Sequence, residues 1–173
     1  MFSINSFRRF WARSVFFLLV LSAVLFAGCS TEGGGGASSG GSVSLNGTWV
    51  SEYGEKWIIN LNNKTLNCPS ESYPDYAYAG TISEVEYFNS SNTAGIIFIE
   101  LTTKGASFAT SGDGYFTGVY FTKLTDNTVE ICIAADTISY STPVRTTLAL
   151  AKELLNIDSV STYFAITSAC EKQ

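Results

Sequence analysis

The reading of the fold turns on "LNGTWVSEYGEKWIINL", residues 45–61. Within it "TWVSEY" and "KWIINL" are short β-branched and aromatic runs, divided by Gly54-Glu55. Such residues suit a pleated, half-buried surface, and a glycine between two runs supplies the reversal of a hairpin. The chain from Leu45 onward therefore opens as antiparallel β structure.

The pattern continues outward from that hairpin. "YAGTISEVEYF" (78–88) alternates Ile82, Val85 and Tyr87 with polar residues, in a register that a bulge must interrupt. "AGIIFIELTT" (94–103), "GYFTGVYFTKL" (114–124) and "NTVEICIAAD" (127–136) follow. Asn-Asn-Lys, Asn-Ser-Ser-Asn-Thr, Ser-Gly-Asp-Gly and Thr-Asp-Asn mark turns along the way. Regular short strands with polar turns predict an all-β antiparallel domain, a barrel or a sandwich. One segment breaks the pattern. "TPVRTTLALAKELLNID" (142–158) places Leu148, Ala151, Leu154 and Leu155 at helical spacing, with Thr146 or Thr147 as cap. Its narrow apolar face predicts one C-terminal helix packed outside the β structure. A last short strand is expected within "STYFAITSAC" (161–170).

"AGIIFIEL" and "GYFTGVYF" are apolar on both faces, which predicts one face inside and the other under a helix or partner. Aromatic residues make up 14% of the chain, enough either to fill a small β core or to line a cavity. A barrel of about eight strands can do either.

The residues before this domain are of another kind. Arg8, Arg9 and Arg13 precede an apolar run over residues 15–26, and Ala27-Gly28 follow, so residues 1–28 read as a secretory signal. The run is shorter than the roughly 20 residues a membrane-spanning helix needs. Without that segment, seven basic residues face fifteen acidic ones, a net charge of −8 with Arg145 as the single arginine. Such a balance excludes nucleic acid, whose phosphates need a basic patch. Residues 29–44, after their cysteine, are almost wholly Gly, Ser, Ala and Thr and read as a flexible tether ahead of a domain over 45–173.

"LFAGCS" (25–30) resembles the lipobox of bacterial lipoproteins. The resemblance implies that Cys29 becomes the acylated N-terminus, anchoring the domain to a membrane of the cell envelope, outside the cytoplasm. Several acyl chains, at about 0.8 kcal/mol per buried methylene, hold firmly without help from charge. Gly47-Thr48-Trp49 resembles the Gly-x-Trp signature of lipocalins and the wider calycin barrels, and the "GTW…YGE" opening is similar to that of a group of spirochaete lipoproteins. This likeness implies an up-and-down lipocalin-like barrel of about eight strands, with a β-sandwich as the alternative. It implies that Arg145, just before the helix, packs across Trp49 to close one end. It further implies a small apolar ligand inside, with Trp57, Phe98, Phe116 and Tyr120 in the lining or core. The alternative function is a structural or interaction lipoprotein with a filled core, contacting other proteins through loops such as 69–79.

Cys68, Cys132 and Cys170 remain, and three thiols allow three pairings. Lipocalins often tie their C-terminal tail to the barrel, which implies a Cys68–Cys170 disulfide. The chain has no histidine, and no Gly-x-Ser-x-Gly, P-loop or dinucleotide-binding glycine pattern. Glu84 with Glu86, and Glu100 with Asp113, read as solvated carboxylates on strand faces. No catalytic residue, cofactor or metal site is expected.

Overall fold

The computed structural model describes residues 43–71, 74–106, 108, 114–136 and 141–173. The signal segment, Cys29, most of the tether and Asp113 lie outside the described residues. Eight strands form a closed antiparallel barrel in which each pairs with its neighbours in sequence and the last returns to the first. They are β1 (Gly47–Ser51), β2 (Lys56–Asn60), β3 (Thr65–Cys68), β4 (Tyr78–Tyr87), β5 (Gly95–Lys104), β6 (Phe116–Thr122), β7 (Thr128–Ile133) and β8 (Ser168–Lys172). This is the lipocalin-like, up-and-down arrangement, and closure leaves no sheet edge unpaired along the wall.

Strand periodicity sorts the side chains into two cores. The inner core includes Trp49 of β1, Trp57 and Ile59 of β2, Leu66 and Cys68 of β3, Tyr78 and Ile82 of β4, and Ile97, Ile99 and Leu101 of β5. Val119 and Phe121 of β6, Val129 and Ile131 of β7 and Cys170 of β8 complete the ring, with Leu45, Phe108 and Leu124 entering from the connections. The register of β4 against β5 shifts between Ile82 and Glu84, so Ile82 and Val85 both reach the inner core although three residues apart.

The outer core lies against the opposite face of β5–β7. Ile96, Phe98, Cys132 and Ala134 meet Ala151, Leu155 and Phe164, with Phe116 and Tyr120 packed alongside. The covering segment begins with α1 (Leu148–Leu154), whose N-cap Thr147 accepts from the Leu150 backbone N–H. It continues through a 3₁₀ turn, Ile157–Ser159, into α2 (Val160–Tyr163). Gly118 of β6 permits this approach, because a Cβ there would meet Ile96 Cγ2 and Leu155 Cδ1 at 3.0 Å each. Lys152 of α1 reaches Glu84 at 2.6 Å and Glu86 at 3.4 Å on β4, which accounts for that carboxylate pair.

The helical segment lies between β7 and β8, so the eighth strand follows the helix as expected. One feature differs from the sequence expectation. The first part of "STYFAITSAC" is helical as α2, and the strand begins only at Ser168. The reason is local. Asn156 accepts from the Asp158 and Ser159 backbone N–H groups and Ser159 answers at the Asn156 N–H, a reciprocal cap that starts a further helical turn despite the β-branched residues after it.

Because Leu155 is 1% exposed beneath α1 whereas Leu150 is 44% exposed, the two leucines separate packing from propensity. Leu155→Ala is expected to lower stability by about 2–5 kcal/mol in chemical denaturation, and Leu150→Ala by about 0.5 kcal/mol or less.

Candidate functional site

The barrel interior and its two ends are where a lipocalin-like fold could bind something. The interior is occupied by its own side chains. Trp49, Ile97, Ile99, Val119, Phe121 and Ile131 are each 0% exposed. An enclosed cavity wide enough for one water would leave accessible area on the side chains lining it, so these residues border no such space.

One end of the barrel is closed around Trp49. Its indole N–H donates to the Leu45 carbonyl at 2.8 Å, and the Lys172 ammonium lies 5.0 Å from the ring centroid. Lys172 stands opposite Trp49 in the β1–β8 register. Gly47 has φ +141°, and a Cβ on it would meet Lys172 Cε at 2.8 Å. The Gly-x-Trp pattern thus has a direct cause here: the glycine gives the lysine stem room to lie over the tryptophan.

The cation over Trp49 is therefore Lys172 and not the expected Arg145. Arg145 exchanges backbone hydrogen bonds with Phe116 at the start of β6, and its Nη1 donates to the Val144 carbonyl at 2.9 Å. It sits where β6 starts, beside the connections that join β5 to β6 and leave β7. The Trp49 indole is directed toward Leu45, where the chain enters β1 from the other end. A cation can reach that ring from β8, the strand hydrogen-bonded to β1.

The four residues expected in the lining or core divide between the two faces of the wall. Trp57 points inward, where its indole N–H donates to the Tyr78 hydroxyl at 2.9 Å. Phe98, Phe116 and Tyr120 point outward, into the core beneath the helical segment. Both faces of β5 and β6 are apolar, so the sequence could not say which face was inside. Phe108 closes the Trp57 end, its ring 5.7 Å from Tyr78. Lys172, Tyr78 and Phe108 were not singled out from sequence; the alternation of Tyr78, Gly80 and Ile82 carried a signal only for Tyr78.

The expected Cys68–Cys170 disulfide is absent: Cys68, Cys132 and Cys170 are free and buried. In the closed order β1 and β2 stand between β8 and β3. Three inter-strand steps of about 4.8 Å separate the two backbones along the wall, more than the roughly 7 Å a disulfide can bridge. Two of the thiols have backbone partners instead: Cys170 donates to the Ser168 carbonyl at 3.3 Å and Cys132 to the Phe164 carbonyl at 3.9 Å, while Cys68 lies in the inner core with Tyr78. Burial, with the Glu55 carboxylate adding to it, pushes all three thiols up to about 12. Thiols held protonated in this way are poor nucleophiles.

A solvent-open depression of about 690 Å³ lies at the seam of β8 with β1 and β7. Its walls mix the charged Glu52, Lys123, Glu130, Glu171 and Lys172 with the apolar Val50, Val129, Ala169 and Cys170, and it stays open to solvent. Among the described residues no group of acidic residues or cysteines is arranged to hold a metal ion. No helix among them is long and apolar enough to cross a membrane. The chain matches no family model, no curated protein and no solved structure.

Free thiols with raised pKa values make stability depend on pH in a defined direction. An unfolded thiol ionises near 9, while the buried ones stay protonated toward 12, so unfolding releases protons in that window. Stability is expected to be complete below pH 9 and to fall from there toward pH 12, by up to about 1.4 kcal/mol per thiol per pH unit. Denaturation of the 43–173 domain at pH 8 and pH 10 checks this, and replacing the three cysteines by alanine should flatten the decline. A thiol reagent should find three groups after unfolding and almost none before.

Proposed function

We propose that this chain is a lipid-anchored protein of the bacterial cell envelope whose barrel is a solid body that acts through its outer surface, by contacting other proteins. The observation that carries the reading is the packed interior, where Trp49, Phe121 and the surrounding aliphatic side chains leave no lumen for an apolar ligand. The depression along β8 does not replace that lumen, because it is open to solvent and places charged side chains beside its apolar ones.

The surface offers a clear place for contact. Tyr53, in the β1–β2 turn, is 78% exposed, and Tyr76, in the 3₁₀ turn Pro74–Tyr76, is 61% exposed. β1 ends and β4 begins at the same end of the barrel, so the two tyrosines belong to one end. Tyrosine gives a large amphipathic contact at low entropic cost, which suits a recognition loop. The anchor reading rests on the resemblance of "LFAGCS" to a lipobox and on the Gly/Ser composition that follows it. No catalytic role is proposed.

Two measurements test the reading. Radiolabelled palmitate fed to expressing cells should enter the wild-type chain and not Cys29→Ser; equal labelling would remove the anchor. A photo-crosslinking residue at position 53 or 76, in intact cells, should give discrete protein adducts that are absent from position 67, on the outer face of β3. Equal adducts at all three positions would remove the loop end as the contact surface.

A further inference from the structure

The two ends of the barrel differ in both connectivity and charge. At one end lie the short turns 61–64, 88–94 and 123–127, and here the chain enters β1 at Gly47 and leaves β8 at Lys172. At the other lie the turn 52–55 and the longer connections 69–77, 105–115 and 134–147. Among the described residues, the connections at this loop end carry Glu52, Glu55, Glu71, Asp75 and Asp136 against Arg145, a net of −4. Lys56 and Lys104 at the adjoining strand ends bring it to −2. The short-turn end carries Lys64 and Lys123 against Asp126, with Glu171 and Lys172 cancelling, a net of +1. Lys123 is bridged to Glu130 at 2.7 Å, which brings that end to neutrality.

We infer that the domain stands on an anionic phospholipid bilayer with its short-turn end down, presenting the loop end away from the membrane. This inference rests on the anchor reading and adds to it the face that meets the lipid. Two independent observations point the same way. The described chain enters β1 at the short-turn end, so the sequence that carries Cys29 joins the domain there. The loop end is repelled by anionic headgroups, whose potential acts within about one Debye length, roughly 8–10 Å. Seven residues of β6, rising about 3.3 Å each in a strand tilted by roughly 40°, set the two ends about 18 Å apart along the barrel axis. The repelled end can therefore stand outside the screened layer while the neutral end lies inside it. Tyr53 and Tyr76 then face outward, where a partner can reach them.

The test uses the full acylated chain in vesicles of phosphatidylcholine and phosphatidylglycerol with an acceptor dye on the headgroups. A donor dye is placed on Asn62→Cys or Asn127→Cys at the short-turn end, and on Tyr53→Cys or Tyr76→Cys at the loop end. The native Cys68, Cys132 and Cys170 are buried and do not compete for the label in the folded chain. With about 18 Å between the ends, energy transfer from positions 62 and 127 should exceed that from 53 and 76 by at least about twofold. Equal transfer, or greater transfer from 53 and 76, overturns the orientation while the chain still floats with the vesicles. If Cys29→Ser floats as well as the wild type, the anchor reading fails and the orientation with it. Two positions at each end keep the result independent of any single variant that folds poorly.

Discussion

The Trp49 ring is the point on which the barrel depends. Its strand pairs with Trp57 on one side and Lys172 on the other, its N–H is held by Leu45, and its face is covered by the Lys172 stem. The start of the domain, the first hairpin and the last strand therefore meet at one side chain. β8 arrives there only after the chain has left β7 and crossed the outside of the wall through α1 and α2. Closing so long a loop costs conformational entropy that local pairing cannot offset. The outer core of Leu155, Phe164 and Ala151 against Phe98 and Ile96 meets part of that cost along the way. The inner and outer cores are thus coupled, because the helical detour delivers the strand that closes the ring.

Much of the fold was legible in the sequence because period-2 alternation is strong where one face of a strand is wet. Six of the eight strands coincide with runs such as "KWIINL" and "NTVEICIAAD", and the bulge in β4 showed in the broken alternation of Ile82, Val85 and Tyr87. β3 did not stand out, since "TLNC" is four residues long and half polar. The site was less legible. Trp49 carried its signal through Gly47, but the cation that covers it comes from the last strand, and nothing in the spacing from Trp49 to Lys172 marks the pairing. Arg145 drew attention as the single arginine of the domain and by its place just before the helix, neither of which says which end of the barrel it reaches. Phe98, Phe116 and Tyr120 were ambiguous for a physical reason: in strands apolar on both faces, a one-residue change of register exchanges inside and outside. The cysteines show the same limit, because loop freedom near Pro69 and the C-terminus says nothing about how many strands lie between two backbones.

The functional consequence is a division of labour between interior and surface. Both buried indoles are engaged, Trp49 with the Leu45 carbonyl and Trp57 with the Tyr78 hydroxyl, so the interior contributes stability and shape. A solid barrel holds its two ends at a fixed separation and orientation, which a hollow one with a breathing mouth would do less well. One end is where the chain enters β1 and leaves β8, and the other holds the long loops with Tyr53 and Tyr76 in solvent. Polar connections on a rigid scaffold are where recognition residues commonly lie.

The claim most exposed to direct measurement is that the barrel is full. Titration of the 43–173 domain with a conjugated fatty acid, followed by energy transfer from Trp49 and Trp57, reports any apolar guest that enters the interior. Both indoles face that space, so a guest could not be silent. The packing described here predicts no saturable transfer up to the solubility limit of the probe. Saturable one-to-one transfer, reduced in Trp57→Phe, would show a lumen that opens to ligand and would contradict the account.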